Sequence, residues 1–412
     1  MKRTTKLLSL CLTVGTIVML TNCPINCPHC PRSSPWISFF TISPNSKMVV
    51  YVKGASLYSS PITTSAQVAI APNFYHNVIG SFYNIVVTPD SAEVVYSDNA
   101  YNIYSSPITV SMPITIATGV NNFVMTPDGT KVLYTIGSLY NNGNLLYSSS
   151  LTTSVPVLLA QGVNSFLVTS NSSAVVYTNS SSTLYSSPIT ASVPVQIDTG
   201  VNSFIITPNS SAVVYTNSSS TLYSSPITAS APVQIDTGVN SFTVTPDSTH
   251  ILYTKDLVSY SSSYYTYSLY SSPITASVPV AIGKNVTNFI ISLDSSKVVY
   301  SNIYSSLYSS PITTSTPAFI SNGVTNFAIT PDSNKVVFIS MLSNLYSVPI
   351  SGGTLVLIDA GKATNGFLLT PDNKTVVYRK GLRNSAGGAN FGLYSSPITA
   401  SVPVLIDSGN TF

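Results

Sequence analysis

Residues 204–238 read FIITPNSSAVVYTNSSSTLYSSPITASAPVQIDTG, and the rest of the chain can be understood from them. Phe204, Ile205 and Ile206 form a short apolar run closed by Pro208-Asn209-Ser210, a turn composition. Residues 212–215 are apolar and β-branched, ending on Tyr215, and read as a second strand. After a polar loop at 217–221, residues 222–227 make a third strand with Pro226 near its end, and 232–235 make a fourth. Proline is tolerated at strand ends and sheet edges, so the fourth strand is expected at the exposed edge. Asp236-Thr237-Gly238 then turns toward the next copy of the pattern.

Nine such copies follow one another. The position of the T-P-D proline is held by Pro44, Pro89, Pro127, Ser170, Pro208, Pro246, Leu293, Pro331 and Pro371. The L-Y tyrosines are Tyr58, Tyr104, Tyr147, Tyr185, Tyr223, Tyr270, Tyr308, Tyr346 and Tyr394. A period near 40 residues with four short apolar runs per copy signals an array of small sheets. The expectation is an all-β protein, a β-propeller of about nine four-stranded antiparallel blades; the alternative is an open β-solenoid array. Residues 163–200 and 201–238 differ at only four positions, which suggests a recent duplication.

The copy running from Thr330-Pro331-Asp332-Ser333 through Val336, Val337 and Phe338 to Asn344-Leu345-Tyr346 and Gly352-Gly353 resembles the TolB-like, WD-type propeller repeats of exported bacterial proteins. Those repeats look like S-P-D-G-x-x-I-x-F followed by L-Y and a Gly-Gly. The resemblance covers residues 37–412 and implies the fold. It does not imply TolB's own role, because the α/β domain of TolB has no counterpart here. Such repeats serve many functions.

The first residues are a separate object. Lys2, Arg3 and Lys6 precede an apolar stretch at 7–20, too short for a comfortable membrane span, so residues 1–22 read as an export signal. Leu20-Thr21-Asn22-Cys23 resembles a bacterial lipobox, which implies lipidation of Cys23; Asn22 departs from the small residue that the motif wants. An uncleaved anchor and simple secretion are the other two readings. Cys23, Cys27 and Cys30 have the spacing of an iron–sulfur motif, but no alternating helix–strand pattern follows. Residues 23–35 are therefore read as a Cys- and Pro-rich tether, with no metal and no cofactor expected. The expected location is the periplasm or cell surface, on a lipid anchor.

The 16 basic and 13 acidic side chains balance once Lys2, Arg3 and Lys6 are removed, which leaves no field to steer nucleic acid. The membrane is expected to be met only through the N-terminal segment, and partners are expected to be proteins or glycans of the envelope.

Two spacings never change. The T-P-D proline position stands seven residues before the V-V-Y aromatic, and the L-Y tyrosine stands twelve before the last apolar residue of the fourth strand. With strands labelled A to D, all length variation thus falls in the B–C and D–A connections. The B–C spacing grows to 13, 17 and 16 residues in units three, six and nine. Antiparallel alternation sends B–C and D–A connections to one end, where insertions in repeat arrays usually carry binding specificity. The candidate contact residues there are Tyr75, His76, Asp98, Tyr101, Tyr140, Lys255, Asp256, Tyr260, Tyr264, Tyr265, Arg379, Lys380 and Arg383. A plainer reading holds that Tyr264, Tyr265 and Tyr267 continue strands B and C outward as a longer hairpin.

No enzyme is expected; the least favoured alternative is a hydrolase or lyase using His76 and Asp256. Six aspartates (Asp90, Asp128, Asp247, Asp294, Asp332, Asp372) sit in the T-P-D turn, where the side chain caps backbone N–H groups. Asp198, Asp236, Asp359 and Asp407 belong to a repeated I-D turn, leaving few groups for acid–base chemistry. The expected function is an exported binding or scaffold module, and the alternative is an adhesin or coat protein whose Ser/Thr-rich exterior is itself the product.

Overall fold

The computed structural model describes residues 37–71, 85–98, 100–137, 144–261, 264–361, 363–383 and 389–407. Among these residues there is no helix, and every strand pairs antiparallel to its neighbours. The fold is an all-β propeller. The chain separates into two compact halves. One runs through Val201 and includes Pro226–Ala231; the other holds Asn202–Ser225 and the chain from Pro232 onward.

Unit seven shows how residues become strands. Lys297–Asn302 is strand B, with Val298 and Val299 both fully buried. Val298 packs among unit six residues such as Leu269 and Ile282, and Val299 among unit eight residues such as Phe327 and Val336. A strand buried on both faces needs consecutive apolar side chains, which is why the motif reads V-V instead of alternating. The core is therefore a series of interfaces between successive units.

The V-V-Y and L-Y aromatics face each other directly across strands B and C, as in Tyr96 with Tyr104 and Tyr300 with Tyr308. All nine pairs stack, with ring centroids 5.4 to 6.0 Å apart and ring planes within 14° to 26°. Each such pair is worth about 0.5–1.5 kcal/mol beyond its buried area. Burial first, then the neighbouring phenol, pushes Tyr96, Tyr177 and Tyr300 up to about 12, so these rings stay neutral.

The expected nine separate blades are corrected. Five sheets are four-stranded, and the other two are seven-stranded, joining units three and four and units six and seven. In both joined sheets strand D runs without a break into the next strand A, as Pro156–Val168 and Val280–Ile291. The cause lies in the B–C insertions. They lengthen strand C until Asn144 pairs with Val163, and Tyr267 with Val286, the position at which strand A begins in units three, five and eight.

The T-P-D turns behave as capped turns. In unit two the Thr88 hydroxyl donates to Asp90 (2.6 Å) and accepts the Glu93 N–H (2.9 Å), while Asp90 accepts the Ala92 N–H (3.0 Å). The serine that follows the aspartate does something the sequence alone did not reveal. It adopts a left-handed backbone, and its hydroxyl accepts an N–H from the turn of the preceding unit. Ser295 takes that of Asp247 (3.0 Å), Ser333 that of Asp294 (3.1 Å), and Ser172 that of Asp128 (3.0 Å). Gly129 replaces this serine in unit three, where a Cβ would come within 2.6 Å of Pro89.

The Y-S-S-P serines are equally committed. Ser224 and Ser347 donate to the carbonyls of Ile274 and Ile398 in the next unit. Ser272 and Ser310 donate to Ala276 (3.0 Å) and Thr314 (3.2 Å), closing the C–D turn. Much of the serine in this chain is buried framework.

Candidate binding surface

Five B–C connections share one five-residue form: 98–102, 179–183, 217–221, 302–306 and 340–344. Its first residue is Asp98, Asn179, Asn217, Asn302 or Ser340, two positions past the stacked aromatic. The first-position side chain caps the turn. Asn217 accepts the N–H groups of Ser219 and Thr221 (both 3.0 Å), and Asn302 those of Tyr304 and Ser306 (both 3.0 Å). The fourth residue is left-handed, with φ between 57° and 62°. It is serine in four turns and Tyr101 in the fifth.

These turns are bonded to the D–A connections on both sides. The second-position N–H groups of Ile303 and Met341 donate to Asn285 (3.0 Å) and Gly323 (2.6 Å) in the connection before. The fourth-position carbonyls of Ser220 and Ser305 accept from Val239 (2.8 Å) and Val324 (2.9 Å) in the connection after. Within each half, then, B–C and D–A connections lie side by side.

Units six and nine carry Lys255 and Lys380 where those five turns carry a cap. A lysine side chain has no acceptor with which to cap the turn. In unit one, where Lys53 holds this position, Gly54 and Ala55 close a tight turn, whereas in units six and nine the strands continue as hairpins, His250–Ser261 with Tyr264–Pro273 and Thr375–Arg383 with Ala389–Pro397. The plainer reading of the unit six tyrosines is thus the observed one: Ser259 pairs with Tyr265 and Ser261 with Tyr264.

Each lysine is tied to the strand D aspartate of the preceding unit. Lys255 Nζ lies 2.8 Å from Asp236, which also accepts the Tyr253 hydroxyl at 2.7 Å. Lys380 Nζ lies 2.7 Å from Asp359, which accepts the Tyr378 hydroxyl at 2.6 Å. The lysines also lie over the stacked rings of Tyr270 (4.4 Å) and Tyr394 (5.7 Å). Burial works to raise the Asp236 carboxyl, but the bonds from Lys255 and Tyr253 outweigh it and hold it below the usual carboxylate range. Lys255 is held above its ordinary value: burial would lower it, and the bond to Asp236 prevails.

The candidate contact residues therefore separate into groups. Asp98 is occupied by its own turn, accepting from Ala100, Asn102 and the Tyr104 hydroxyl (2.8 to 3.0 Å). Lys255 and Lys380 are anchors at the roots of hairpins. Asp256, left-handed at a bulge, accepts the Tyr270 hydroxyl at 3.2 Å. Tyr101 and Tyr265 are exposed, at 65% and 46%, and Arg379 is exposed as well. Tyr260, Tyr264 and Arg383 lie on hairpin strands, but their side chains fall outside the described residues, as do Tyr75, His76, Tyr140 and Cys23 altogether.

Three exposed residues at this end are not among the candidates named from the sequence. Tyr304, Met341 and Leu342 are 71%, 63% and 80% exposed in short turns. The signal was available: at the same two positions units four and five have Ser180-Ser181 and Ser218-Ser219.

No family model matches the chain, and no curated protein matches it. Among solved structures, a crystal structure of a eukaryotic initiation factor is similar at a TM-score of 0.56 and 10% identity, covering 88% of this chain and 96% of that one. The C-terminal WD40 domain of Sif2 is 10% identical over 74% of this chain and 93% of its own (TM-score 0.41). A putative TolB from Agrobacterium tumefaciens is 15% identical over 51% and 83% (TM-score 0.30). The likeness is one of fold alone. The propeller expected from the repeats is found, and no match assigns the chain to a particular repeat family.

Proposed function

We propose that this chain is an exported, lipid-anchored binding or scaffold module of the cell envelope, which meets a protein or glycan partner through its B–C/D–A end. One observation carries the reading. The A–B turns are capped and cross-bonded the same way in unit after unit, whereas the B–C connections diverge into capped turns, a turn bearing Tyr101 and two anchored hairpins. A surface that varies on a constant frame is where specificity is built. The adhesin or coat reading rested on a serine-rich exterior, and many of those serines are instead interior fastenings.

The test uses a photo-crosslinking side chain in the full chain in its own cells. Placed at Tyr265, it should give a discrete adduct; at Asn334, in an A–B turn, it should give none. Equal adducts at both positions, or none at Tyr265, would refute the reading. Anchoring is checked separately: fatty-acid labelling should vanish in Cys23→Ser, and labelling that persists there would rule out lipidation at that residue.

A further inference from the structure

We propose that the B–C tips of units seven and eight, Tyr304, Met341 and Leu342, dip into the surface of a lipid bilayer. This goes beyond the binding role above and does not depend on it.

The three side chains are held together and turned outward. Ser305 accepts the N–H of Val324 (2.9 Å), and Gly323, the residue before Val324, accepts the N–H of Met341 (2.6 Å). The backbone therefore fixes the two turns as neighbours. Both tips are open to solvent, Leu342 80% exposed and Tyr304 71%. Exposed aliphatic side chains beside a tyrosine suit the boundary between acyl chains and headgroups, where an amphipathic ring is at home. Leu257 and Val258, on the unit six hairpin of the same half, add 52% and 45% exposed apolar side chains at this end.

The charges agree. A surface that enters lipid cannot carry unpaired carboxylates. Residues 303–305, 321–324 and 340–344 contain none. Asp236 of unit five and Asp359 of unit eight, at this end, are paired with Lys255 and Lys380, and the exposed Asp256 of the unit six hairpin accepts the Tyr270 hydroxyl. Lys284, on the connection after unit six, is exposed and positive, which favours anionic headgroups. The opposite end of this half also exposes apolar residues, Val278 at 58%, Leu293 at 45% and Val402 at 56%, but they are spread over separate turns, among which Asp247, Asp294, Asp332 and Asp372 face solvent. Single exposed valines are ordinary; a turn reading Met-Leu beside one bearing Tyr, clear of free acids, is not.

The experiment introduces a tryptophan reporter into the full chain after Trp36→Phe removes the native one. Leu342→Trp and, as the control at the other end, Val278→Trp are mixed with vesicles of phosphatidylethanolamine and phosphatidylglycerol carrying brominated acyl chains. Emission from Leu342→Trp should fall roughly two-fold or more while Val278→Trp is unchanged, because only the first would reach the acyl chains. The result is read at one residue, so it holds whether or not the N-terminal segment also binds the vesicles. Equal quenching of the two, no quenching of Leu342→Trp, or quenching that needs an added envelope protein would overturn the proposal. Loss of quenching here would leave the crosslinking result at Tyr265 untouched, so the two readings can fail separately.

Discussion

Units four and five end strand B in Asn179 and Asn217, and the chain turns back within five residues. Units six and nine place Lys255 and Lys380 at the same point, and the strands run on as hairpins. The stacked aromatic pair just inside is common to all four. Among these four units a closed turn or a projecting arm goes with this position, though not with lysine alone: Lys53 holds it in unit one, where Gly54-Ala55 closes the turn between Met48–Lys53 and Ser56–Pro61. Asparagine offers a carbonyl that satisfies two backbone N–H groups where the chain reverses. Lysine offers only donors, and it finds its acceptor in the strand D aspartate of the unit before.

The stacked pair should be the part that cannot be changed. Tyr215→Ala in unit five and Tyr253→Ala in unit six each remove a fully buried ring and should each cost about 3–5 kcal/mol in denaturant unfolding. Similar costs would mean that turn and hairpin rest on the same foundation. A much smaller cost in unit six would mean that the hairpin holds itself together.

The next largest effect should separate the two kinds of unit. Asp236→Ala deprives the buried Tyr253 hydroxyl and Lys255 of their acceptor and should cost about 1–3 kcal/mol. Amide exchange should quicken along His250–Ser261 more than along Ala212–Asn217. Uniform quickening in both strands would show that the aspartate supports the sheet at large and is no specific anchor for the arm.

Most of the framework was legible because it depends on local rules. The four strands per unit and the capping aspartates follow from turn chemistry and antiparallel alternation. What lay hidden depends on neighbours. That Ser295 and Ser333 bond the turn of the preceding unit cannot be seen inside one repeat, because a serine there also reads as an ordinary turn residue. The merging of sheets at Pro156–Val168 and Val280–Ile291 likewise needed the length of one connection to be weighed against the pairing of another. Lys255, Asp256 and Lys380 stand out in the sequence because they lie in the longest B–C connections, and position alone does not show that Lys255 and Lys380 bond the strand D aspartate of the unit before. Tyr304, Met341 and Leu342 sit in short turns, where only comparison with the serines of units four and five marks them out.

The smallest predicted effect concerns pH and follows from the sign of the shifts. Asp236 has its folded-state ionisation depressed, so the stability it adds is complete above its unfolded value and is lost as pH falls through the folded one. Lys255 is raised, so its contribution is complete below the ordinary lysine range and is lost as pH rises past the folded value. The lock of the unit six hairpin should therefore hold across neutral pH and weaken at both extremes. The capping aspartates Asp90, Asp247 and Asp332 are also depressed, so acid should weaken the whole molecule and conceal the lock in a simple titration. A difference measurement removes that background. The gap in unfolding free energy between the parent chain and Asp236→Asn should be widest near neutrality and close as pH drops through the carboxylate range. Asparagine can still accept the Tyr253 hydroxyl but carries no charge for Lys255, so the gap isolates the ionic part of the lock. A gap that stays constant with pH would mean that the hairpin is held by its hydrogen bonds alone.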